Sequence, residues 1–346
     1  MICVAWDGLS AYSVAALESF ITKSNRTVSI VAIEPEVPKT SNDEISGVRI
    51  NWIKRNCDLS ITSIIGSMPS VLLVGGWQDS GFNRFSREVR KAGGKVIVMV
   101  DNQFEWNWKL IPWIIRFNLF IRHKFSGYLV PGKSTARLLR FCGVRKKNIG
   151  QSLYTASHNI FTNGEPLGYR PKRMLYVGRF IALKNVISMI KAFVEFSKSH
   201  PDWELHCYGQ GGLEDEMKRI AEFHGCNKII IRKFVQPNEL ASLYKDARIL
   251  ILPSFWDHWG VVVHEATLSG CGLLLSDKVG AGWNLCTKKN GILFNPKKTN
   301  EITRAMKTIA NWDDLKWKGV QAESLQISKT ISPEVFTMEL QRLINN

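Results

Sequence analysis

The sequence predicts two doubly wound α/β domains in tandem, and three observations carry that prediction. Short apolar strands alternate with helical patterns through the first hundred residues and again from Arg173 onward. A polar stretch containing Gly and Pro, residues 162–172, separates the two runs and reads as the hinge between halves. At 346 residues and 45% hydrophobic content, the chain is long enough to bury two separate cores.

In the first half, residues 2–6, 28–33, 71–74 and 95–100 read as buried strands, with helices expected over 14–23 and 83–92. A loop containing Asp7 and Gly8 follows the first strand, and Asp101 and Asn102 follow the fourth. Residues 127–131 form another strand, after which Lys133, Ser134 and Thr135 open a helix. Between them, residues 106–125 mix tryptophans at 106, 108 and 113 with large aliphatics and cations. That segment suits an anionic lipid surface, with tryptophan at the headgroup level and cations toward phosphate, and it equally suits a buried helix interrupted by Pro112. One face can pack while the other docks.

The second half carries more chemistry. A strand over 173–177 leads into Gly178 and Arg179, then Lys184 and Asn185 open a helix with Val186, Met189, Ile190, Phe193 and Phe196 on one face. Gly178 permits close backbone approach, Arg179 can grip a phosphate bidentately, and Lys184 adds a point charge. A second strand ends at the turn Gly209-Gln210-Gly211, and a third, over 228–231, runs into Phe234 and Val235. A fourth, over 248–252, leads through Pro253 and Ser254 to Asp257, Gly260, Val261 and Glu265. Ligands in open α/β sheets sit at the carboxyl ends of strands, where Asp257 is placed, and Gly260 opens a helix whose N–H groups favour anions. Carboxylates at 257 and 265 are suited to accept hydrogen bonds from vicinal hydroxyls, although two acids near a helix start also serve as ordinary solvated partners of its dipole.

Seven motifs in order sharpen this reading. They are Val177-Gly178-Arg179, Lys184-Asn185, the strand from Trp203 to Gly211, Leu252-Pro253-Ser254, the run from Gly260 to Ala266, that from Ser276 to Ala281, and Asn290 to Phe294. With them, residues 172–310 resemble the C-terminal half of the glycogen-synthase-like group 1 family of retaining glycosyltransferases, of family 4 type. The resemblance implies the GT-B fold, two Rossmann-like domains facing a central cleft. It implies an acceptor-binding domain over residues 1–165, a nucleotide-sugar domain over 166–330, and a C-terminal helix, 331–346, packing back toward the first domain. Arg179 and Lys184 are then expected on the donor diphosphate, with Gly178, Gly209, Gly260 and Val261 giving close backbone approach. Glu265 is expected on the ribose, and Phe234 and Val235 at the edge of the base. The donor is a UDP- or GDP-linked sugar, with no further cofactor and no metal. Asp257 stands where most relatives carry glutamate. Asp101 stands where the family usually has histidine, and it either holds a sugar or acceptor hydroxyl or caps a loop. Gly8 lies in the glycine loop facing donor and acceptor.

Charge supports a surface partner. The net charge is +16, and residues 84–147 alone hold fifteen Lys or Arg against Glu88, Asp101 and Glu105. An anionic membrane surface and a lipid-linked glycan acceptor fit that bias, as in assembly of lipopolysaccharide, O-antigen or capsule. The charge is interleaved with aliphatics rather than set out as a polar stripe, and no nucleic-acid module is recognised, so nucleic acid is not the expected partner. Nucleic-acid binding and a non-catalytic nucleotide-binding module remain the rival readings. Seven scattered cysteines without a Cys-x-x-Cys pair point to free thiols. The start of the chain lacks the basic flank and length of a signal peptide, so a cytoplasmic location, peripheral on the inner membrane face, is expected. Oligomeric state is not legible.

Overall fold

Runs of consecutive buried aliphatic residues, such as Val71–Val74 and Ile249–Leu252, are too short for helices and buried on both faces, so they form central parallel strands. The computed structural model describes residues 1–34, 43–105, 108 and 110–346. They divide into two units, residues 1–155 with 331–346, and residues 156–330.

The first unit is built on an eight-stranded sheet. Its strands are β1 (Ile2–Trp6), β2 (Val28–Ile33), β3 (Glu44–Ile45), β4 (Val48–Ile53), β5 (Val71–Val74), β6 (Lys95–Met99), β7 (Gly127–Leu129) and β8 (Ile149–Gly150). The order is β3-β4-β2-β1-β5-β6-β7-β8, parallel except for β3 against β4. Alternation along β1 sends Cys3 and Ala5 into one core, with Phe82, Phe85 and Val89, and Ile2, Val4 and Trp6 into the other, with Leu17 and Phe20. The helix Pro333–Asn345 closes the second core with Phe336, Leu340 and Leu343. Its start is set by Ser332, whose side chain accepts the Val335 N–H, and by Pro333 in the first turn. Met338 faces solvent at 63% exposure.

The second unit is a six-stranded parallel sheet of β9 (Arg173–Val177), β10 (Glu204–Tyr208), β11 (Ile229–Arg232), β12 (Ile249–Leu252), β13 (Gly272–Ser276) and β14 (Gly291–Phe294). Its order is β11-β10-β9-β12-β13-β14. The winding direction reverses between β9 and β12, which places a crevice at their carboxyl ends. In the first unit the same reversal falls between β1 and β5.

One expectation is corrected. Residues 156–165 belong to the second unit rather than the first, and the segment 162–172 is exposed at most positions but anchored at the buried Leu167 and Arg170. Arg170 is 3% exposed and donates to the carbonyls of Glu165, Tyr244, Ala247 and Ser269, so its charge pins the segment into the core. Ala156 N–H donates to His264 Nδ1 at 2.9 Å, which fastens the segment from its first residue.

Candidate functional site

Both loops at the β9/β12 crevice carry residues singled out in the sequence. After β9 the chain makes a sharp turn at Gly178, and the Tyr176 hydroxyl donates to the Arg179 carbonyl at 2.9 Å to hold it. Gly209, at the end of β10, faces that turn so closely that a Cβ would lie 1.9 Å from the Gly178 carbonyl oxygen. Any side chain there would push the turn apart. Asn185 then starts the next helix in the left-handed region, at φ 56°, and its amide donates to the carbonyls of Pro253 and Pro296. Asparagine is among the few residues that tolerate this backbone, and its side chain ties the β9 loop to the β12 loop. Phe255 N–H donates to the Leu183 carbonyl at 2.9 Å, a second tie.

These ties bring Lys184 and Asp257 together. Lys184 Nζ lies 2.5 Å from Asp257 Oδ2, with both side chains about 15% exposed (14% and 15%). An ammonium has three N–H donors, so two remain beyond the Asp257 contact. Arg179 is exposed and forms no ion pair among the described residues. The Asp257 loop is itself fixed, because Asp257 N–H donates to the Lys278 carbonyl and Gly280 N–H to the Asp257 carbonyl. Gly260 caps the following helix at φ 89°, a conformation that penalises a side chain, and Val261 begins the helix with its first turn of N–H groups. Ser254 Oγ and Trp259 Nε1, on the same loop, are buried without a hydrogen-bond partner.

Glu265 sits in the second turn of the Val261–Leu268 helix, partly accessible by surface yet ringed by protein. It is held by the Tyr244 hydroxyl at 2.9 Å rather than by either cation. Burial pushes its carboxyl up to about 7, with the Tyr244 hydrogen bond acting in the opposite direction. Burial, and then the Glu265 charge, push the Tyr244 hydroxyl well above its ordinary range. His264, one residue earlier, is fully buried and accepts from Ala156 at Nδ1 while Nε2 faces the Ser328 carbonyl at 3.1 Å. Those partners fix the neutral tautomer with the proton on Nε2 and assign His264 to packing. Phe234, 57% exposed, and Val235 follow the edge strand β11. Two strand spacings, about 10 Å, separate β11 from β9.

Gly8 and Asp101 lie in the first unit. Asp101 accepts from the Tyr154 hydroxyl at 3.2 Å, and with Trp6, Asp7, Arg55, Trp77 and Tyr154 it lines a cavity of about 320 Å³ at the β1/β5 reversal. Asp7 receives both Arg55 guanidinium N–H groups, at 2.9 and 3.1 Å, and Gly8 follows it at φ 72°. Sequence reasoning missed Arg55, Trp77, Tyr154 and Tyr244. Arg55, Tyr154 and Tyr244 each act through a partner at least twenty residues away, and Trp77 enters only through the cavity it lines.

Residues 162–316 match the family model described as glycosyl transferases group 1. An uncharacterized glycosyltransferase of Methanocaldococcus jannaschii is 27% identical over 143 residues, 41% of this chain and 36% of the relative. A D-inositol 3-phosphate glycosyltransferase of Corynebacterium kroppenstedtii is 28% identical over 149 residues, 40% of this chain and 33% of the relative. The chain therefore spans about a third of the length of these two curated relatives. Anabaena HepE, solved with UDP and glucose, superposes at TM-score 0.74 and 12% identity, covering 100% of this chain and 99% of that one. Sucrose-phosphate synthase from Thermosynechococcus elongatus superposes at 0.72 and 13% identity, covering 100% and 98%. The fold is GT-B, with two Rossmann-like α/β domains.

Proposed function

We propose that the chain is a group 1 glycosyltransferase that moves a sugar from a nucleoside-diphosphate sugar to a hydroxyl of a glycan acceptor. The observation that carries this reading is the β9/β12 crevice. Arg179, the Lys184–Asp257 pair, the Gly260 helix start and Glu265 all belong to the loops and the helix that follow those two strands.

In this reading the diphosphate lies on the Gly178 turn and the Val261 helix start, with Arg179 and the two remaining Lys184 donors on its oxygens. Asp257 accepts hydroxyls of the sugar, and Glu265 those of the ribose. The bond from the anomeric carbon to the phosphate oxygen breaks, and charge accumulates on that oxygen, where Arg179 and the helix N–H groups stabilise it. The acceptor oxygen bonds to the same face of the anomeric carbon, and its proton passes to the departing phosphate oxygen, so the configuration is retained. Two side-chain cations can do the work that a divalent ion does in other enzymes, and the proposed transfer is metal-independent. UDP is the first nucleotide to test because Anabaena HepE was solved with it, and GDP is the second. The acceptor is a lipid-linked glycan in the assembly of a bacterial surface polysaccharide, a reading supported by the basic first half of the chain.

A thermal-shift screen against UDP, GDP, ADP, CMP and their sugar conjugates tests the donor site, with Arg179→Ala and Glu265→Ala as controls. Stabilisation by one nucleotide family, lost in both variants, supports the reading. No shift with any of them contradicts it. A second reading, a nucleotide-binding module without turnover, is favoured by the Lys184–Asp257 pair, which spends part of the Lys184 charge inside the protein. Nucleotide binding without release of nucleoside diphosphate from any sugar conjugate would establish that second reading.

A further inference from the structure

Away from both crevices, the first unit carries a second built feature. The segment after Leu110 forms a short helix, Leu110–Arg116, a π turn, Phe117–Ile121, and a 3-10 turn, Arg122–Lys124. Pro112 falls in the first helical turn, where its missing N–H costs nothing, so the segment stays helical. One face is core. Leu110, Phe117 and Ile121 are buried, and Trp113 stacks on Phe117 with ring centroids 5.1 Å apart. The opposite face is apolar and open: Ile111, Ile115, Leu119 and Phe120 are 66, 54, 64 and 64% exposed. The helical spacing of 111, 115 and 119 aligns them in a row. Trp106, Asn107 and Lys109, the start of the segment expected to meet a membrane, lie outside the described residues.

At the far end of this row, Lys124 and Phe125 line a cavity of about 520 Å³ together with Ser80, Asn83, Arg87 and Arg90 of the helix Ser80–Lys91. Residues 83, 87 and 90 share one helical face. Arg87, Arg90 and Lys124 form no ion pair among the described residues. Several acids of this unit are used elsewhere: Glu88 accepts the Ile61 N–H, Asp79 the Phe82 N–H, Asp58 pairs with Arg84, and Asp101 accepts from the Tyr154 hydroxyl. Between Glu105 and Glu165 the sequence has ten Lys or Arg and no acid. An apolar row of this kind is costly to leave in water, and the charge around it excludes a cationic partner.

We propose that this face docks on an anionic phospholipid bilayer, with Ile111, Ile115, Leu119 and Phe120 entering the acyl boundary and the exposed cations Arg87, Arg90 and Lys124 meeting headgroup phosphates. The geometry matches an interfacial helix, and no helix of the described residues is long and apolar enough to cross a membrane. This docking does not depend on the transfer reaction, because none of its residues belongs to either crevice.

The test is co-sedimentation of the full chain with vesicles of phosphatidylcholine alone and of phosphatidylcholine mixed with phosphatidylglycerol. Binding is expected on the mixed vesicles only, and it should weaken on the order of a hundredfold in the triple variant Arg87→Gln, Arg90→Gln, Lys124→Gln. The pair Ile115→Ser, Leu119→Ser should lose binding as well. All five side chains are exposed, so folding is not at risk, and nucleotide stabilisation in the same preparations should be unchanged. Three results would overturn the proposal. One is undiminished vesicle binding by the triple variant. Another is stabilisation by inorganic phosphate alone, abolished in that variant, with no vesicle binding, which marks a small-anion site. The third is concentration-dependent dimerisation lost in Ile115→Ser, Leu119→Ser without vesicle binding, which marks an interface between copies.

Discussion

The two units reverse their strand winding in the same way, yet the crevices this creates are equipped differently. At β9/β12 the paired charges are mostly buried: Lys184 and Asp257 are 14% and 15% exposed. At β1/β5 the corresponding pair, Arg55 and Asp7, is 55% and 45% exposed. Topology therefore fixes where a ligand can lie, while burial decides how strongly each charge matters there. A pair screened by water contributes little, whereas a pair removed from water is expensive to break.

The largest expected effect breaks the comparison at its exposed cation. Arg179→Ala should lower the transfer rate about 10²–10³-fold, the usual cost of removing one donor from a charge-stabilising site, with the thermal stability of both units unchanged. Steady-state release of nucleoside diphosphate checks it.

Next in size is Lys184→Met, which removes a mostly buried cation from Asp257 and should cost the second unit about 2–4 kcal/mol. Denaturant titration of Lys184→Met alone and combined with Asp257→Leu separates the loss of one charge from the net worth of the pair, and the double variant should recover most of the loss. Equal losses in both would show that packing, not charge, dominates.

Glu265 gives a pH signature. Its carboxyl keeps a proton up to about 7 in the fold, against 4.5 in an unperturbed chain. The folded protein therefore binds more protons than the unfolded chain between those values. The Glu265 contribution to stability is complete below about 4.5 and is lost as the pH rises through about 7. Melting temperature measured across that window should fall, and Glu265→Gln should flatten the fall.

The smallest effect sharpens the comparison from the other side. Arg55→Ala removes an exposed pair and should change first-unit stability by less than about 1 kcal/mol. A loss as large as that of Lys184→Met, measured in the same denaturant titration, would remove the distinction drawn between the crevices.

Much of the second crevice is legible because its groups are close in sequence to strand ends. Arg179 follows β9 directly, and Asp257 and Gly260 follow β12, so a strand-loop-helix pattern suffices to place them. The Lys184–Asp257 contact was not legible, since it depends on β9 and β12 becoming neighbours although 73 residues separate the two side chains. The same holds for Tyr244 with Glu265 and Arg55 with Asp7. The unit boundary was placed about ten residues late for a related reason. A polar stretch gives no sign in sequence that Arg170 is buried and finds carbonyl partners at Tyr244, Ala247 and Ser269, 74 to 99 residues away. The short edge strand β3 was missed because two residues carry no period.

The central claim is that the β9/β12 crevice binds a nucleoside diphosphate through Arg179. Calorimetric titration of UDP and of GDP into the wild-type chain and into Arg179→Ala tests it most directly. Saturable binding of one nucleotide by the wild type, weakened at least tenfold in the variant, is the predicted result. Binding of equal strength in both proteins, or of neither nucleotide by the wild type, would contradict the account.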